Sequence, residues 1–279
     1  MMKVRTTPRG QIPAGGLGPV ASTPGRLLDA APPVPQRTLV ALELRKTVDT
    51  RSGRWVFAVI LAATVGMVCL VVFAADRDER DAAGLFSASQ TGVAVLLPVV
   101  AAVAMCAEWT QRTALTTFAL VPDRGRTVVA KWLAMLVLTA VGVGVGLVAA
   151  LGGHAFGRAT GQVGADVGRL PSGRLVATSL LDTGLSVTMG LALGMLLANA
   201  TLSILTLFGI PAVLGILSGT IGALERPFGW LNPGQAFGPL GDPAAISATE
   251  WARVGTAAAL WVLVPFAAGW WRTVRRDVS

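Results

Sequence analysis

The chain has 279 residues, of which 53% are hydrophobic and only 14% charged, with a formal net charge of +8 and a mean hydropathy of +0.65. A soluble domain carries about 25% charged residues, so this surplus of apolar side chains excludes an ordinary water-soluble globule. The basic excess points to cytoplasmic loops rather than nucleic acid, because the charges sit between long apolar runs and not on an aromatic-rich basic domain.

The first 36 residues contain Pro8, Pro13, Pro19, Pro24, Pro32, Pro33 and Pro35. No apolar core follows the early basic residues, so residues 1–36 read as a disordered cytoplasmic tail rather than a signal peptide. A short amphipathic helix is predicted from Gln36 to Ser52. On a 3.6-residue wheel Val40, Leu44 and Val48 form one stripe with Ala41 beside it, while Glu43, Arg45, Lys46 and Asp49 fall opposite and Leu39 and Leu42 lie off the stripe. Such a helix is suited to lying in the membrane interface.

Six apolar runs are long enough to cross about 30 Å of hydrocarbon. They are predicted at residues 55–75, 85–107, 132–151, 175–197, 202–224 and 254–271, the fourth containing Asp182 and the fifth Pro211. The fourth and fifth are separated only by Ala198, Asn199, Ala200 and Thr201, which predicts a tight helical hairpin. With six spans the two termini and the second and fourth loops share a side. That side holds sixteen Lys and Arg residues against seven on the other, which places both termini in the cytoplasm of a multi-pass cell-membrane protein. The basic third loop, with Arg158, Arg169 and Arg174, dissents mildly from that assignment, while the acidic first loop, residues 76–81, fits the outside.

Several residues invite a chemical reading. Cys69 and Cys106 differ in predicted depth by roughly 20 Å if their runs are antiparallel helices, too far for a disulfide, and are expected to be buried and inert. Asp182 is the lone acid within a run, about seven residues from its start and so expected near the outer surface; pairing with an outer-side arginine such as Arg174 and a proton-relay role are both open. The sole histidine, His154, is assigned to the third loop, where it has no clustered ligands for a metal. No nucleophile–base–acid set is evident. Gly142, Gly144 and Gly146 in the third run, and Gly190 and Gly194 in the fourth, have the small-xxx-small spacing of close helix packing.

The second loop, residues 108–131, is too polar to span and too apolar for a plain linker. Leu115, Phe118 and Ala119 have helical spacing and could present one face to a groove on a soluble partner. Pro122 ends that segment, and Arg124, Arg126 and Lys131 follow before the third span.

The order Glu108, Thr113, Leu115, Pro122, Arg124 and Lys131 resembles the permease subunits of type-2 ATP-binding-cassette exporters. In that family a glutamate ends the second span, a coupling helix follows, and a proline-x-arginine turn leads to a lysine. Glu43-Leu44-Arg45-Lys46 to Arg51-Ser52 is similar to the family's connecting helix, and Arg226-Pro227-Phe228-Gly229-Trp230-Leu231-Asn232-Pro233 to its re-entrant segment before the last span. The resemblance covers residues 37–279 and implies an all-α, six-span membrane domain. It also implies a second permease copy or paralogue and two separate nucleotide-binding subunits that hold ATP and Mg. It assigns coupling to the partner ATPase to Glu108, Arg112, Thr113, Leu115, Phe118, Pro122, Arg124, Arg126 and Lys131. The connecting helix would use Val40, Leu44, Arg45, Lys46 and Val48, and the substrate path Ser203, Thr206, Pro211, Ser218 and Thr220. The chain contains no Gly-Lys pair and so no phosphate-binding G-x-x-x-x-G-K-[ST] loop, which leaves ATP hydrolysis to a partner. An ion-coupled secondary transporter and a non-transporting membrane scaffold are the rival readings.

Overall fold

The computed structural model describes residues 34–75, 80–110, 124–163 and 170–275, with side chains at 108–110, 124 and 273–275 left aside. Helix α1 spans Gln36–Val48. The first five crossing helices are α2 (Arg51–Ala74), α3 (Ala82–Thr110), α4 (Arg124–Ala159), α5 (Gly173–Leu197) and α6 (Ala200–Thr220). Two short helices follow, α7 (Gly222–Leu231) and α8 (Pro233–Phe237), then a 3-10 turn over Gly238–Gly241. The last crossing joins α9 (Ala248–Ala258) to α10 (Val264–Arg275) through one π-helical turn at Ala259–Leu263. Among the described residues six helices are long and apolar enough to cross a bilayer. The protein is therefore an all-α, multi-pass membrane protein.

The helices alternate in direction, and hydrogen bonds at both ends fix the alternation. On the face that carries α1, Gln36 Nε2 donates to the Arg126 carbonyl at 3.0 Å, and Arg272 donates to the Leu196 carbonyl. On the far face Arg80 donates to the Gln162 carbonyl at 3.1 Å, Ser87 Oγ to Gly241 at 2.9 Å, and Arg174 to Pro243.

Helix α3 packs against α2, α4 and α5 and forms the hub. One apolar cluster includes Val93, Leu97, Met105, Met135, Val187 and Leu191; a second includes Val68, Val72, Phe86, Val143 and Leu175. Glycine lets α3 and α5 touch backbone to backbone. A Cβ at Gly190 would lie 2.3 Å from the Pro98 carbonyl oxygen, and one at Gly194 would lie 2.7 Å from that of Ala102. On α4, a Cβ at Gly142 would meet Val93 and one at Gly146 the Gln90 side chain, whereas Gly144 faces open space. The small-residue spacing therefore marks real close approach at four of its five positions.

Two joints are tight. Thr50 caps α2 by accepting from Gly53 N–H at 3.0 Å. Between α5 and α6 only two residues intervene: Ala198, at a left-handed φ of 51°, and Asn199, whose side chain accepts from Leu202 N–H at 3.0 Å. This is the predicted helical hairpin, closed by an ordinary N-cap.

The third span differs from its prediction at both ends. Helix α4 begins at Arg124 and continues to Ala159, because hydropathy marks only the lipid-buried part of a helix and not its polar extensions. The last eight residues assigned to the coupling loop, 124–131, are helical, and His154 is buried within α4 rather than in a loop. Cys106 is buried as expected and its thiol donates to the Gly194 carbonyl at 3.5 Å, but Cys69 faces outward from the helices; neither forms a disulfide. The predicted tail lies outside the described residues as far as residue 33.

Candidate functional site

Helix α1 does not bury the stripe that its helical wheel suggests. Leu39 and Glu43 are its buried residues, Val40 and Leu44 are half-buried, and Ala41 and Val48 are exposed. The reason lies 88 residues along the chain. Lys131, on the third turn of α4, is only 4% exposed, and its Nζ donates to Glu43 Oε2 at 2.7 Å. Lys46 reaches the other oxygen of the same carboxylate at 2.8 Å, one helical turn away and largely in the open. Burial alone would raise the Glu43 pKa, but the attractions of Lys131 and then Lys46 outweigh it and hold the carboxyl below its usual 4.5. A buried charge is tolerated only when paired and hydrogen-bonded, so the ion pair turns α1 until Glu43 faces α4. Arg45 remains exposed.

This arrangement ties the first helix to the start of the third span, directly after the segment predicted to couple to a partner. Arg112, Thr113, Leu115, Phe118 and Pro122 lie outside the described residues. Glu108 falls in the last turn of α3, Arg124 opens α4, and Arg126 follows on it with its carbonyl bound by Gln36.

On the far half, α7 and α8 form a re-entrant hairpin. Asn232 Nδ2, at its tip, donates to the Pro211 carbonyl at 3.1 Å, and Pro211 stands halfway along α6. The chain has therefore returned to mid-depth. Asn232 Oδ1 also caps α8 by accepting from Gly234 N–H at 3.0 Å. On the way back Gln235 Nε2 donates to Ser218 Oγ at 2.8 Å. From the opposite side Trp261, in the π-turn, donates its indole N–H to the Leu231 carbonyl at 2.7 Å. Trp230 lies under the Arg253 guanidinium, 5.9 Å from the ring centre.

Removing the tip side chain deletes one cap and one interhelical hydrogen bond. Asn232→Ala is expected to cost about 2 kcal/mol. Hydrogen exchange in detergent should read it as faster exchange confined to residues 222–241, with α3 and α5 unchanged.

The residues assigned to a substrate path divide by what their side chains touch. Ser203 is fully buried, and its hydroxyl donates to the Asn199 carbonyl at 2.7 Å. Ser218 is buried and bound to Gln235. Thr220 is exposed and bonded back to its own helix, while Thr206 is half-buried. Pro211 lines a cleft of about 230 Å³ walled by α3, α5, α6 and the hairpin tip. Asp182 opens into the same cleft. It is nine residues into α5, about 14 Å below the helix start at 1.5 Å per residue, so it lies near mid-depth rather than near the surface. Arg174 is engaged at Pro243, and among the described residues no hydrogen bond or ion pair reaches the Asp182 carboxylate. Comparison of the chain with known protein families and with curated proteins finds no match.

Proposed function

We propose that the chain is the transmembrane subunit of an ATP-driven exporter, pairing with a second permease and with separate nucleotide-binding subunits that hold ATP and Mg. The observation that carries this reading is the Glu43–Lys131 ion pair. It fastens an interfacial helix to the base of the third span, so that a push delivered to the preceding loop moves α1 and α4 together. The order of elements supports the same reading: interfacial helix, loop between the second and third spans, then a re-entrant hairpin before the last span. In this reading both termini are cytoplasmic, the membrane is the cell membrane, and α6, the least covered of the six spans, faces lipid or the second permease.

The test is co-purification of the tagged full chain in mild detergent. A stoichiometric ATPase subunit is expected, and it should be lost when Arg112→Glu is combined with Phe118→Ala. A chain that purifies alone, with or without those changes, overturns the reading. The uncompensated Asp182 favours a second reading, an ion-coupled secondary transporter, which predicts Asp182-dependent proton flux in liposomes without any ATPase.

A further inference from the structure

The cleft at mid-depth combines features that share one electrostatic sign. Asp182 supplies a carboxylate that no described cation meets. Pro98 and Pro211 each lack the N–H that would close the helical bond to the carbonyl four residues earlier. Those carbonyls belong to Ala94 and Leu207, and both residues line this cleft. Two interrupted helices thus turn their breaks towards the same space as the acid. The remaining wall is mostly apolar and includes Phe208 and Phe237.

We propose that this cleft binds a monovalent organic cation, an ammonium group carried on an apolar body. An uncompensated carboxylate at mid-membrane is costly, and a bound cation offsets that cost. A volume of about 230 Å³ is several times the roughly 30 Å³ share of one water molecule, so the space suits an organic head group and not a bare metal ion. Asp182 is the one charged residue among those that line the cleft, which matches a single positive charge. The apolar walls take the body of the ligand.

The test is calorimetric titration of the purified full chain in dodecyl maltoside with benzyltrimethylammonium. Saturable one-to-one binding is expected, weakened at least tenfold by Asp182→Asn and retained within about threefold by Asp182→Glu. Ala94→Phe fills the cleft, leaves the carboxylate intact, and should abolish binding. Elution profile and melting temperature establish that each variant is folded. Unchanged affinity in Asp182→Asn or in Ala94→Phe overturns the proposal. So does equal binding of benzyl alcohol, which has the same ring and no charge, or displacement of the probe by an equal concentration of sodium ions. Proton flux that needs Asp182, without any cation binding, overturns it in favour of a proton relay. Binding is a property of this chain alone, whereas the exporter reading depends on ATPase capture, so the two fail separately.

Discussion

Glu43→Gln is expected to lower the stability of the protein by about 3–5 kcal/mol, because it takes the carboxylate away from an ammonium that is only 4% exposed. Lys131→Met should cost less, since Lys46 still serves the same carboxylate at 2.8 Å. The double change, Glu43→Gln with Lys131→Met, removes both charges and should recover much of the loss. Thermal unfolding in detergent measures all three variants, and a double-mutant cycle on those values gives the coupling. Strict additivity would show that the two side chains do not hold α1 to α4.

The pair also makes docking of α1 sensitive to acid. The Glu43 pKa is held below its usual 4.5 in the folded protein, so its contribution is complete above that value. It is lost as the pH falls below 4.5 and through the depressed value, because protonation then accompanies release. The stability gap between the wild type and Glu43→Gln should therefore be widest near neutrality and close on acidification. A gap that stays constant down to about pH 3 would count against the linkage.

Gly190→Val is the second change with a large expected effect. Even the first added carbon would lie 2.3 Å from the Pro98 carbonyl oxygen, and backbone cannot turn aside as a side chain can. The α3–α5 contact at the centre of the protein must open, at a cost of about 3 kcal/mol. Yield of monodisperse protein and melting temperature should both fall sharply, and Gly194→Val should behave alike. Gly144→Ala is the control: nothing lies within 4 Å of its added carbon, and alanine is the better helix former. Equal losses at Gly144 and Gly190 would mean that glycine matters here for some reason other than close packing.

Much of this architecture was legible in the chain. Six spans follow from hydropathy because lipid demands apolar, internally hydrogen-bonded segments, and the hairpin at Asn199 follows from how little polar chain separates its two runs. What escaped depends on distant partners. A helical wheel places Glu43 on the polar side, and only Lys131, 88 residues away, turns it inward. The start of α4 was hidden because Arg124, Arg126 and Lys131 read as loop by hydropathy while continuing the helix. Asp182 sits deeper than expected because its helix begins at Gly173 and because the hairpin tip descends to meet it. The glycines were a fair guide, since their spacing reports how closely two backbones pass.

The two-residue joint at Ala198 and Asn199 also bears on how the helices can move. Such a link spans at most about 7 Å, far less than the thickness of a bilayer. The helix carrying Asp182 and the one that follows it therefore cannot part at that end. A tilt or slide of one is handed straight to the other.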